Sequence, residues 1–214
     1  GANLSEAQMF TNAGYMTTID PAGGATDSVI RIPNLNFDHI GGEKLIGYWL
    51  GKATPEGSSQ YFIGDGWNTA NHGFALICPS NGRPQLYMVD NAGGAWSGQA
   101  AGVAFDGTLH SVGWVLDGKN KKFAFWIDEA PDASYGAYSG FATGGKDTKN
   151  ANTFNIGQSE SAAAASANGL ATQTRAFHLL RLSPTDPIPS ISTMTNVFKQ
   201  LRADPSKPIL GGAF

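Results

Sequence analysis

The sequence predicts an all-β sandwich, two antiparallel sheets with one short C-terminal helix. Three observations point there. Residues 109–129 (LHSVGWVLDGKNKKFAFWIDE) have the pattern of two strands around a polar turn. His110, Val112, Trp114 and Leu116 alternate with Ser111, Gly113 and Val115; Phe123, Phe125 and Ile127 alternate with Ala124, Trp126 and Asp128. Side chains change face at every residue of a strand, so pleat geometry produces this split. The second strand is apolar on both sides, which makes it a central strand packed on a second sheet, with Trp126 on a face that is covered or used. Next, Asn81-Gly82 stands between GFALIC (73–78) and QLYMV (85–89). Asn-Gly tolerates positive φ at both positions and is the strongest short hairpin signal. Finally, the chain holds 28 Gly and only 14% charged residues, against roughly 25% in ordinary soluble domains. That composition suits short strands and tight turns better than long helices.

The remaining elements follow in order. The first 30 residues are irregular, with a turn at 20–24 (DPAGG), until SVIRI (28–32) alternates as a short strand. LIGYWL (45–50) and YFIG (61–64) read as strands, and the Asn-Gly hairpin follows. Residues 90–99 form a Gly-rich polar loop carrying Trp96. After the 109–129 ribbon, 134–152 reads as loop, 153–157 (TFNIG) as strand, and 159–174 as loop with one helical turn at most. RAFHLLRL (175–182) is a late strand buried on both faces. Ser190 can cap a helix in which Ile191, Met194, Val197, Phe198 and Leu201 recur at helical spacing, ending near Asp204-Pro205. No repeat or linker divides the chain, so residues 1–214 are taken as one domain, an ordinary length for a sandwich of about 200–250 residues.

Composition also excludes classes. A net charge of −3 argues against nucleic acid, which needs a clustered positive surface. No apolar run approaches the ~20 residues of a membrane span, so no membrane insertion is expected. No basic region followed by an apolar block marks a secretory leader. The single Cys78 rules out an internal disulfide, and its strand setting favours a buried, inert thiol over a nucleophile.

From residue 45 onward the order of elements resembles the concanavalin A-like lectin/glucanase superfamily, in particular its laminin G-like and pentraxin-like branch. The resemblance rests on LIGYWL, on the 73–89 hairpin, on DGTLHSVGWVLDGKNKKFAFWIDEAP, and on TFNIG followed by RAFHLLRL and a short helix. Leu109-His110 stands where the family has Trp-His, and Asp128-Glu129 where it has Asp-Gly. The kinship covers about three quarters of the chain. It implies a jelly-roll sandwich, one concave sheet often used for glycans, and calcium in some members.

Catalytic patterns are missing. Glucanases of that superfamily carry Glu-x-Asp-x-x-Glu on one strand, which sets acid and nucleophile on one face; no two acidic residues here stand two positions apart. Asp128, Glu129 and Asp132 look like a solvated strand end. Gly157-Gln158-Ser159-Glu160-Ser161 lacks the last Gly of a nucleophile elbow. Residues 140–146 match the front of a phosphate loop, but Asp147 replaces its Ser/Thr. His39, His72, His110 and His178 lack helix zinc spacing, and His110 and His178 alternate with apolar residues as structural histidines do. No cofactor is therefore expected, with calcium left open: Asp117/Asn120 and Asp147/Asn150 offer oxygen ligands, yet are equally good turn formers.

Two loops have the chemistry of a glycan site. Sugar C–H faces stack on Trp or Tyr, and sugar hydroxyls take planar polar groups. One loop offers Asp65, Trp67, Asn68, Asn71 and His72; the other offers Asp90, Asn91 and Trp96. The alternative is that each Trp folds back to plug an end of the sandwich. Trp126 joins the candidates, whereas Trp49 and Trp114 belong to the core. The expected function is a non-catalytic, lectin-like module binding carbohydrate or a cell-surface glycan. It would be extracellular or on a virion surface, displayed on a larger assembly such as a phage particle with other virion proteins as partners. The alternatives are a structural assembly domain and a polysaccharide hydrolase or lyase.

Overall fold

The computed structural model describes residues 6–10, 16–18, 30–32, 37–38, 41–55, 60–64, 66, 73–89, 94–117, 119–120, 122–137, 154–156 and 172–209. The chain forms two antiparallel sheets and one helix, a jelly-roll sandwich. The first sheet holds β1 (Glu6–Phe10), β2 (Met16–Thr18), β4 (Lys44–Ala53), β9 (His110–Asp117), β10 (Lys122–Ile127), β11 (Ala130–Ala137) and β13 (Thr172–Leu182). Its order is β1-β13-β4-β9-β10-β11, with β2 also on β13. The second holds β3 (Ile30–Ile32), β5 (Gln60–Gly64), β6 (Gly73–Cys78), β7 (Gln85–Val89), β8 (Ala95–Gln99) and β12 (Phe154–Ile156), in the order β3-β12-β5-β6-β7-β8. Helix α1 (Ile191–Ala203) follows β13. Among the described residues no helix is long and apolar enough to cross a membrane.

The seven-stranded sheet is covered twice. Leu45, Trp49, Val112, Trp114, Leu116, Phe125, Phe177 and Leu179 point into the core between the sheets, where they meet Phe62, Phe74, Leu76, Leu86 and Met88. The residues of opposite parity, Ile46, Tyr48, Leu50, Val115, Ala124, Trp126 and Leu180, meet Met194, Val197, Phe198 and Leu201 of α1. Trp126 is therefore on a covered face: its indole Nε1 donates to Thr195 Oγ1 at 2.9 Å, and its ring meets Phe198 edge-on at 5.1 Å. The helix starts as its sequence demands. Ser190 is extended, and its Oγ accepts from Thr193 N at 3.1 Å, satisfying one of the free N–H groups of the first turn.

Glycines make room for the largest rings. Gly47 lies opposite Trp114, and a Cβ there would sit 2.0 Å from the indole. A Cβ at Gly113 would sit 2.5 Å from the Phe198 ring.

Several expectations are corrected. Residues 6–10 and 16–18, read as irregular, are strands added to β13. Residues 95–99 are β8, so Trp96 stands on a strand opposite Met88 and not in a loop. Residues 130–137 are β11, the partner of β10. All of these lie toward sheet edges, where backbone pairing alone recruits sequences that lack an apolar alternation. The acidic strand end is a two-residue hairpin turn, since Ile127 pairs with Ala130 and both Asp128 (φ 49°) and Glu129 (φ 63°) are left-handed. This is the geometry that prefers Asp-Gly or Asn-Gly. Asp132 is no solvated carboxylate either: it accepts from Ala101 N and Gly102 N, both at 2.6 Å, stapling β11 to the segment after β8.

Cys78 is buried as expected, and burial pushes its thiol up to about 12. His178 is likewise structural, its Nε2 donating to Pro205 O at 3.0 Å.

The close approach at Gly47 gives a direct test. Gly47→Ala should destabilise the protein by about 1–3 kcal/mol, the usual range for overpacking. Adding Trp114→Leu should make the pair less damaging than the sum of the singles in urea unfolding. Additive losses would contradict the packing described.

Candidate functional site

With both faces of the seven-stranded sheet covered, the outer face of the six-stranded sheet is where side chains of a regular scaffold stand clear of the core. The register builds it row by row. Tyr61 lies opposite Ile77, Ile77 opposite Gln85, and Gln85 opposite Gln99. In the adjacent row Gly64 lies opposite Ala75, Ala75 opposite Tyr87, and Tyr87 opposite Ser97. Directly opposed residues share a face. Their neighbours of opposite parity, Leu76, Leu86 and Met88, are in the core, so these two rows point away from it.

Tyr61, Ile77, Gln85 and Tyr87 are half-buried, while Ser97 and Gln99 are exposed. The β5 position of the Tyr87 row is Gly64, where a Cβ would sit 2.4 Å from the Phe74 carbonyl oxygen. Gln99 is steadied at one edge, where its Nε2 lies 3.4 Å from Asn81 Oδ1 of the β6–β7 turn. Burial raises the Tyr61 phenol above its ordinary value of 10.0, and the Tyr87 phenol adds to the rise. The described rows thus combine two phenols, two primary amides and a hydroxyl, and no formal charge. Such a set can stack on an apolar ring face and exchange hydrogen bonds with neutral hydroxyls.

The connections that carry the loop residues expected from the sequence start and finish at one end of this face. Residues 65–72 connect Gly64 to Gly73, and 90–94 connect Val89 to Ala95. Gly73 pairs with Val89, and Val89 with Ala95, so both connections leave neighbouring strands at the same end. Asp65, Trp67, Asn68, Asn71, His72, Asp90 and Asn91 themselves lie outside the described residues. Trp126 does not join them: it is fully buried beneath α1 on the other side of the seven-stranded sheet. Tyr61, Gln85, Tyr87 and Gln99 were missed as site residues. Their signal was present in QLYMV, where Gln85 and Tyr87 alternate with Leu86 and Met88.

The carboxylate of Asp117, a possible calcium ligand by sequence, accepts from Asn120 N at 3.0 Å and from Asn120 Nδ2 at 2.7 Å, as a turn former does. Asp147 and Asn150 lie outside the described residues. Among the described residues no group of three or more His, Cys, Asp or Glu side chains is placed to hold a metal ion.

No protein-family model matches the sequence, and no curated protein matches it. Solved structures do match the fold. The binding domain of Paraclostridial Mosquitocidal Protein 1 superposes with a TM-score of 0.60 at 10% identity, over 91% of this chain and 47% of that one. The binding domain of botulinum neurotoxin serotype D gives 0.55 at 10% identity, over 94% and 47%. The CBM40 domain of the Ruminococcus gnavus IT-sialidase, solved with α2,3-sialyllactose, gives 0.54 at 14% identity, over 79% and 95%. The chain spans about half the length of the two toxin domains. At these identities the likeness is one of fold.

The raised Tyr61 phenol sets a sign for alkaline stability. A folded pKa above the unfolded 10.0 means stability is complete below that value and is lost as pH rises past it. Tyr61→Phe should therefore show a shallower loss of urea midpoint than wild type between about pH 9 and about pH 11. Parallel profiles would contradict the burial of this hydroxyl.

Proposed function

We propose that this chain is a non-catalytic, lectin-like module that binds carbohydrate on the outer face of the six-stranded sheet. The observation that carries the reading is the Tyr61–Ile77–Gln85 row beside Tyr87, with the 65–72 and 90–94 connections leaving the same end of that face. Tyr61 and Tyr87 supply stacking surfaces. Gln85, Ser97 and Gln99 supply neutral donors and acceptors. Trp67, Asn68, Asn71 and His72 with Asp65, and Asp90 and Asn91, extend the contact to a second sugar unit. The uncharged rows favour neutral hexoses over acidic sugars at the sheet itself. A solved sialidase domain of similar fold carries a sialylated lactose, which supports the carbohydrate class without fixing the sugar. Display outside the cell, on a larger assembly such as a phage particle beside other virion proteins, is part of the proposal and is supported by the Gly-, Ala-, Ser- and Asn-rich composition.

A glycan array with the isolated domain tests this. Binding should be found among neutral cell-surface glycans, and Tyr61→Ala or Tyr87→Ala should each weaken it about tenfold, the loss of roughly 1.4 kcal/mol expected for an aromatic anchor. Trp67→Ala should weaken it as well. Absence of binding across neutral and sialylated arrays, with unchanged behaviour of all three variants, would overturn the proposal in favour of an assembly domain.

A further inference from the structure

At the far end of the sheets from those loops, His110 stands between two aspartates. Its Nδ1 is 2.7 Å from Asp128 Oδ2 in the β10–β11 turn. Its Nε2 is 3.0 Å from Thr108 Oγ1 and 3.3 Å from Asp106 Oδ1 in the segment that enters β9. The hydrogens can be counted. A carboxylate only accepts, so Nδ1 carries a hydrogen toward Asp128. Thr108 has one hydroxyl hydrogen, and its Oγ1 donates to Asp106 Oδ1 at 2.7 Å. Thr108 Oγ1 is then left to accept, and Nε2 must carry a hydrogen too. With the Thr108 hydroxyl given to Asp106, both ring nitrogens donate, and this arrangement is that of an imidazolium. While it is protonated the ring has no lone pair to take the Thr108 proton.

We propose that His110 is a protonation-controlled latch that joins the 106–109 segment to the β10–β11 turn and closes one end of the sandwich. The groups facing it come from three elements: Asp106 from the segment before β9, Asp128 and Glu129 from the turn, and Arg202 from α1. Asp128 Oδ1 also accepts from Ser111 N at 3.1 Å and lies 3.9 Å from Arg202 Nη1. Glu129 accepts from Ser111 Oγ. These contacts fix the two left-handed acidic residues, whose backbone strain would otherwise favour another turn. Burial alone would lower the His110 pKa, but the hydrogen bonds and charges of Asp128 and Asp106 outweigh it and hold the ring above its ordinary 6.5.

Deprotonation opens the weaker side. Asp128 keeps the remaining N–H through the shorter contact. The bare Nε2 then faces the Asp106 carboxylate, and Thr108 must turn its hydrogen from Asp106 to the ring. The segment that loses its tie is the one that covers the core: Phe105 packs at 5.1 Å from Phe62 and 5.9 Å from Trp49, and Gly107 N donates to Ala53 O at 2.9 Å. The sign follows from linkage. The latch is complete below the ordinary histidine value of 6.5 and is lost as pH rises through the higher value of the folded protein.

The experiment is an NMR titration of the ring signals of the whole chain, with His110 assigned by the signal missing in His110→Gln, together with amide hydrogen exchange at Gly107 and Thr108. In wild type the His110 signal should titrate above 6.5, and Asp106→Asn or Asp128→Asn should lower its midpoint. Exchange at Gly107 and Thr108, corrected for intrinsic rates, should accelerate across the same midpoint in wild type and show no such step in His110→Gln. A wild-type midpoint at or below 6.5, or identical exchange profiles in the two proteins, would overturn the latch.

Discussion

Everything in this molecule is conditioned by one constraint: the central strands of the seven-stranded sheet, β4, β9, β10 and β13, are covered on both faces. One side is pressed on the six-stranded sheet and the other lies under α1. Each of its central strands must be apolar at both parities, and each must still fit rings as large as Trp114 and Phe198 between layers. The glycines answer the second demand. Gly47 admits the Trp114 indole and Gly113 admits the Phe198 ring, with no atom to spare for a Cβ. Interiors packed at crystal-like density leave few other solutions.

Double coverage also decides where chemistry can happen. Tyr48, Trp49, Trp114 and Trp126 are large and chemically versatile, yet all are fully buried. Tyr48 stacks on Phe198 at 5.6 Å, and its phenol is raised well above the ordinary range, chiefly by burial. Among the described residues the six-stranded sheet fills one core, and its other parity points away from it. There the chain places phenols, amides and a hydroxyl on a rigid scaffold, with two polar connections at one end. Sites built on strands hold their geometry better than sites built on loops alone.

Much of this was legible in the residues. Alternation in the 109–129 ribbon correctly assigned Val112, Trp114, Leu116 and Phe125 to one face and Trp126 to the other. Helical spacing in 191–201 and the Ser190 cap identified α1. What joined the two was not legible, because neither pattern says that the helix covers Trp126 rather than leaving it to a ligand. The strands β1, β8 and β11 escaped for a different reason. Ala95-Trp96-Ser97-Gly98-Gln99 and the Pro131-containing β11 have no apolar alternation, and their extended form comes from pairing to a neighbour already in place. The Asp128-Glu129 turn was visible as a strand end, but Glu in a left-handed conformation is not something local propensity favours; His110, Ser111 and Arg202 have to be brought up from other elements to hold it. The candidate face was half legible: its connections were marked by Trp67 and by Asn68, Asn71 and Asn91, whereas Tyr61 and Tyr87 were passed over as ordinary strand residues.

Hydroxyl-radical footprinting read by mass spectrometry tests the two-sided burial most directly, since it needs no ligand and reports each aromatic side chain separately. The account predicts oxidation at Tyr61 and Tyr87, and protection of Tyr48, Trp49, Trp114 and Trp126 until the protein unfolds. Oxidation of Trp126 or Tyr48 in the native protein at rates matching Tyr61 and Tyr87 would mean that α1 does not cover the sheet, and would contradict the assignment of the six-stranded face as the open one.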